Sequence, residues 1–289
     1  MRKKSRKQNL ETIKNQTMDE ERALYALKNA TVEDCTFAGP ADGESALKEA
    51  RNVQIKNCRF SLRYPFWHTE DFSVENSVMD EGVRASLWYA KRGTLSRCEI
   101  LGVKALRECE TVTFSHCRIV SEEFGWRCRD ITLKDCDITA QYFLFETKNG
   151  TLSNVELKGK YSFQYTEDLT VENCNLDTKD AFWHSKNVTV KNCTVKGEYL
   201  GWYSENLTLI NCRIIGTQPL CYCKNLTLID CTMEETDLSF EYSDVHATIL
   251  GHVESIKNPA SGKITADSIG EIISEDSVIP TNCEIIVNS

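Results

Sequence analysis

The chain has 289 residues, 41% of them apolar, with five prolines and 14 glycines; that is enough for a sizeable core and argues against a disordered or collagen-like chain. A formal charge of −9 argues against nucleic acid or anionic membrane as a general partner, and no run approaches the ~18 apolar residues of a membrane span. Fourteen cysteines with no secretory signal after the basic opening MRKKSRK point to a reducing, cytoplasmic setting in which they are thiols rather than disulfides.

In chain order, residues 1–17 read as a basic, flexible tail. Residues 18–30, most of which fall in the string TMDEERALYALKN that begins at Thr17, read as a short amphipathic helix capped by Asp19 or Thr17, with Leu24 and Leu27 turned inward to cover one end of the fold. Residues 31–250 carry a repeat. Residues 251–289, where short apolar runs alternate with Gly and Pro turns, read as irregular final coils and a C-terminal cap.

The repeat is marked by its cysteines. Cys98, Cys117, Cys136, Cys174, Cys193, Cys212 and Cys231 fall on one lattice with a step of 19, Val155 filling the single gap; upstream the step is 21 to Ser77, 19 to Cys58 and 23 to Cys35. A fixed period near 20 is the signature of a solenoid. Counting from the cysteine, the positions five before, three before and two after are apolar, as in Val112, Phe114 and Ile119, while the position four before is threonine from Thr94 to Thr227. This alternation makes a short strand with one buried face, and each unit is too short to hold a helix as well.

Asn or Asp stands immediately before the cysteine in nine of eleven units, and a second such row, including Asp130, Asn149, Asp168 and Asn187, lies six before it. These residues tolerate left-handed backbone, so the two rows mark corners. The fold class is all-β: a single-stranded parallel β-helix of about 19 residues per coil, right-handed by the usual rule for parallel crossovers, with coils ~4.8 Å apart. The inward-facing cysteines are core filling. Cys221-Tyr-Cys223 lacks the spacing and second pair of a zinc site, so no metal and no cofactor is expected.

FWHT at Phe66–Thr69 and FWHS at Phe182–Ser185 are separated by six repeats plus the two-residue insertion, so they occupy the same coil position. All five tryptophans, Trp67, Trp88, Trp126, Trp183 and Trp202, share one row with Arg107, Phe145, Gln164 and Cys221. The adjacent row holds His68, Tyr89, Glu108, Arg127, Glu146, Tyr165, His184, Tyr203 and Tyr222. On a regular strand only one of two adjacent rows faces outward. The ionisable row is the better candidate, since its charges would be costly inside, although Arg107 and Gln164 fit poorly in a buried tryptophan row.

Evenly spaced aromatic residues could bind an extended ligand such as a carbohydrate, which makes Trp67, His68, Trp88, Tyr89, Trp126, Tyr165, Trp183, His184, Trp202 and Tyr203 the candidate ligand-binding residues. The competing reading is a wall of stacked side chains in a non-enzymatic scaffold that meets a protein partner or a second copy of itself. Glu108 and Glu146, two coils or ~9.6 Å apart, are the candidate catalytic pair, with Arg127 between them. Arg127 would lower both carboxyl pKa values, which favours a salt ladder over acid catalysis. The chain contains no nucleophile elbow, P-loop or dinucleotide fingerprint.

NVTVKNCTVKGEYLGWYSENLTLINCRIIG, DGESALKEARNV, FWHT and FWHS resemble an uncharacterised bacterial family, a domain of unknown function among the pectin-lyase-like right-handed β-helices, over roughly residues 18–275. The resemblance implies the fold and carries no assigned activity. The wider superfamily contains polysaccharide lyases and hydrolases, so any carbohydrate-processing activity is an analogy of fold alone.

Overall fold

The computed structural model describes residues 11–288. The alternating rows form strands that wind into an all-β parallel solenoid of about 15 coils. One ladder runs from Glu11–Lys14 through Lys28–Glu33, Arg51–Lys56, Glu70–Glu75, Lys91–Ser96 and Glu110–Ser115 to Glu284–Val287. A second contains Thr36–Phe37, Arg59–Phe60 and Val78–Met79; a third contains Phe66–Trp67, Leu87–Trp88 and Leu106–Arg107.

Register follows the lattice. Thr94 pairs with Thr113 and Val112 with Ile131, each one lattice step on, while Lys28 pairs with Arg51 and Glu70 with Lys91 across the two insertions. Beyond Cys231 the spacing loosens: Asp244 pairs with Ser261, His252 with Ser268 and Lys263 with Glu284.

The rows five before, three before and two after the cysteine are buried, among them Val112, Phe114 and Ile119. Phe37 and Phe60 stack at 4.6 Å, as do Phe163 and Phe182 at 4.5 Å. Thirteen cysteines are buried free thiols and Cys283 is half-buried. The thiols pack against backbone carbonyls, as Cys193 does, donating to Lys191 O at 3.1 Å. Burial pushes the Cys58 thiol up to about 11 and that of Cys221 to about 12.

The helix expected over residues 18–30 is absent. Thr17–Met18 is a strand paired with Thr36–Phe37, and the next segment is a turn whose amide groups bond forward to the next coil: Arg22 N to Glu44 O, Leu24 N to Ala46 O and Ala26 N to Lys48 O. Pairing with a neighbouring coil satisfies the backbone as a helix would, and still lets Leu24 and Leu27 pack on the core. Residues 1–10 of the expected tail lie outside the described residues, whereas Glu11–Lys14 is already a strand, paired with Ala30–Glu33. Among the described residues the helical content is one 3-10 turn, Glu81–Val83.

Candidate functional site

Left-handed backbone is not confined to the two corner rows. Both corner rows take it, as at Asn173 (φ 56°) and Asp168 (φ 59°). So does the row of His68, Tyr89, Glu108, Arg127, Glu146, Tyr165, His184, Tyr203 and Tyr222, with φ between 49° and 60°. A left-handed residue breaks the two-residue alternation of a strand. The tryptophan row and its neighbour therefore both reach the surface: the tryptophans are half-buried, His184 is exposed, and Tyr165 and Tyr203 are 50% and 45% exposed.

The exposed row is a column of rings. Tyr165, His184, Tyr203 and Tyr222 stack in succession at 5.0, 5.0 and 4.8 Å with interplanar angles of 8°, 8° and 11°. Further up, His68 stacks on Tyr89 at 4.9 Å. Between the two runs the column becomes ionic: Arg127 Nε donates to Glu146 Oε2 at 2.8 Å, and hydrogen bonding to Glu146, aided by the charges of Glu146 and Glu108, raises the Arg127 pKa. Glu108 borders an open depression of about 400 Å³ that also holds Glu110, Arg127 and Arg129. Coil order places Arg127 between the two carboxylates.

The tryptophan row has its own logic. Trp183 Nε1 donates to Tyr199 O and Trp202 Nε1 to Gln218 O, both at 2.7 Å and both reaching forward to the next coil. Gln164 Nε2 reaches Asp180 O in the same relation, at 3.3 Å, and Arg107 Nη1 reaches the Glu123 carboxylate at 2.7 Å. Arg107 and Gln164 belong in this row because they share with tryptophan a long side chain ending in an N–H donor. Arg107 also lies between two rings, 5.9 Å from Trp88 and 5.4 Å from Trp126.

Sequence reasoning missed a flanking set. Tyr64 meets Trp67 and Trp88 at 6.0 Å, Tyr142 meets Trp126 at 6.0 Å, and Tyr199 meets Trp202 at 5.3 Å. Tyr142 and Tyr161 stack at 5.0 Å, and Lys48 Nζ lies 4.3 Å from the Trp67 ring centre. The signal was present in the sequence: Tyr64, Tyr142, Tyr161 and Tyr199 all stand three residues before a member of the tryptophan row.

Among the described residues no cluster of His, Cys, Asp or Glu is arranged to hold a metal ion, and no helix is long and apolar enough to cross a membrane.

These features define a parallel β-solenoid with an aromatic and ionic ridge along one corner. The chain belongs to the family described as a protein of unknown function, DUF3737, whose model matches residues 11–286. No match is found among curated proteins. Similar solved structures include PfbA, a surface adhesin of Streptococcus pneumoniae (8% identity, 81% of this chain and 83% of that one, TM-score 0.33). The mannuronan C-5 epimerase AlgE4 A-module of Azotobacter vinelandii (10%, 97% and 91%, 0.29) and the catalytic domain of a GH87 alpha-1,3-glucanase (8%, 96% and 64%, 0.34) are also similar. Likeness at this level is no guide to what the chain binds or does.

Proposed function

We propose that the chain is a binding scaffold whose ridge takes an extended, polyhydroxylated ligand of the carbohydrate class, in a reducing, cytoplasmic setting consistent with its free thiols. The right-handed winding usual for parallel crossovers is part of this reading. One observation carries it: Tyr165, His184, Tyr203 and Tyr222 form an evenly spaced column in which two tyrosines and the histidine between them are exposed. Stacking uses up the ring faces inside the column. The ligand would then be gripped along the ring edges, by phenol and imidazole hydrogen bonds in step with the coils, beside Trp183 and Trp202. Trp67, His68, Trp88, Tyr89 and Trp126 continue the track past the Glu108–Arg127–Glu146 segment. Those charges serve as polar contacts in this reading, since Arg127 is committed to Glu146 and sits where a catalytic water would be needed.

Titration of the full chain with a panel of soluble oligosaccharides, followed by tryptophan fluorescence, tests the proposal. The expected result is a saturable response that disappears in the Tyr165→Ala/Tyr203→Ala variant. No response to any glycan overturns it.

The occupied ring faces favour a second reading, a scaffold whose ridge meets a protein or another copy of the chain. Sedimentation that depends on concentration and loses this dependence in the same double variant would support self-association.

A further inference from the structure

The coil between Ser77 and Cys98, which carries a two-residue insertion, helps to line a cavity. Residues 80–86 bulge over the aromatic face, and Tyr64, Arg84, Ala85, Trp88, Val103 and Lys104 enclose a space of about 180 Å³. The bulge is firmly held. The Asp80 carboxylate accepts from Ser61 Oγ at 2.5 Å, Arg59 Nη2 at 2.7 Å and Gly82 N at 3.1 Å. A Cβ on Gly82 would come within 2.4 Å of Ser61 O, and one on Gly102 within 2.7 Å of Arg84 O, so the stacked loops accept only glycine there. Arg84 has φ 60° and ψ −80°, a backbone that a non-glycine residue rarely adopts and that persists only where its surroundings enforce it.

The electrostatics of this corner are one-sided. Its charged lining residues are Arg84 and Lys104. Lys104 lies 3.5 Å from Glu123, while Arg84 makes no ion pair among the described residues. Four buried N–H groups nearby have no acceptor: Arg63 Nε, Trp67 Nε1, Trp88 Nε1 and Arg107 Nε. They are all the unpartnered buried side-chain nitrogens among the described residues. The Arg63 guanidinium faces Glu44 and Asp42, at 3.6 and 3.4 Å. Trp183 and Trp202, in the same row, do have their carbonyls. A local surplus of donors and cations favours an anion.

We propose that this cavity binds a ring-sized organic anion, a single six-membered ring carrying a carboxylate. The volume is close to that of an engineered cavity of about 150 Å³ that holds benzene. Tyr64, Trp88, Ala85 and Val103 supply walls for the ring, and the planar Arg84 guanidinium can meet a carboxylate through two parallel hydrogen bonds. The proposal stands whether or not the ridge binds carbohydrate.

The ring could be aromatic or a sugar acid, so the full chain is titrated with benzoate and with glucuronate, each beside its neutral counterpart, benzyl alcohol or methyl glucoside. Tryptophan fluorescence and the indole N–H signals in NMR spectra are the readouts. At least one acid should saturate, about tenfold more tightly than its neutral counterpart and about tenfold more tightly than it binds Arg84→Gln. Val103→Trp, a change at a 42% exposed position that fills the space, should abolish binding while leaving the circular dichroism spectrum unchanged. Which acid binds identifies the class of ring. Saturation by neither acid, equal binding of the neutral compounds, or unchanged affinity in Arg84→Gln overturns the proposal.

Discussion

The indole rings of Trp183 and Trp202 stack 5.4 Å apart with their planes 3° from parallel, and each hands its N–H to a backbone carbonyl of the next coil. Trp67 and Trp88 stack in the same way at 5.6 Å but have no such acceptor. Replacing each of the four by Phe keeps an aromatic ring and removes the N–H. Trp183→Phe and Trp202→Phe strand a carbonyl and should cost roughly 1–2 kcal/mol more than Trp67→Phe or Trp88→Phe, which only remove a donor that already lacks a partner. Urea midpoints of the four variants, read with one probe, check this; equal losses would show that the carbonyl bonds do not matter.

The same row shows what could be read in the sequence. The coil register, the inward rows and the two Asn/Asp corners were legible because each follows from a local preference repeated many times: apolar alternation for the strands, tolerance of left-handed backbone for the corners. The left-handed backbone of the row from His68 to Tyr222 was not, because His, Tyr, Glu and Arg carry no such signature. Strict alternation therefore forced a choice between two rows that both reach the surface. Arg107 and Gln164 looked out of place until their acceptors on the next coil, the Glu123 carboxylate and the Asp180 carbonyl, supplied their reason. The first coil was misread as a helix because Leu24 and Leu27 have helical spacing. Ile13 and Met18, each one lattice step before Val32 and Phe37, already extended the lattice to that point.

Phe163 stacks between Phe143, edge-on at 5.2 Å, and Phe182, face-on at 4.5 Å, and is fully buried. Phe163→Ala should destabilise by about 3–5 kcal/mol, because neighbouring coils are tied by their ladders and are poorly able to collapse into the gap. In contrast, Cys193→Ser should be mild, under about 1.5 kcal/mol. Ser77 occupies the same row naturally and donates to Glu75 O at 2.9 Å, the bond that Cys193 makes to Lys191 O. Thermal unfolding of the two variants should separate them widely; similar losses would mean that the thiol row has a role beyond filling space.

Burial also governs thiol chemistry. Burial pushes the pKa values of Cys58, Cys221, Cys223 and Cys283 to about 11, 12, 11 and 11, whereas hydrogen bonding with neighbouring thiols lowers those of the buried Cys117 and Cys231, so access rather than ionisation decides which thiols react. Iodoacetamide at pH 8 should label the native chain at Cys283 at most, the one half-buried cysteine, and all 14 after denaturation. Mass spectrometry of Cys283→Ser should then show no native labelling. Rapid modification of several cysteines in the native chain would mean that the coils open far more readily than their packing implies.

Arg92 supports two carboxylates of the preceding coil, donating to Glu70 Oε2 at 2.7 Å and, through two nitrogens, to Asp71 at 2.7 and 3.0 Å. Hydrogen bonds from Arg92 are the main reason that both carboxyl groups lie below their ordinary range. A depressed native pKa means that the unfolded chain binds the proton first. The stabilisation is therefore complete above the unfolded carboxyl values, about pH 4, and is lost as pH falls through the lower native ones. Arg92→Gln should unfold at a lower temperature than the parent at pH 7, and the gap should close as both are taken below about pH 4. High salt should shrink the gap at pH 7 as well, since the group is exposed. A gap that stayed constant with pH, or widened in acid, would show that Arg92 acts by packing rather than through these two carboxylates.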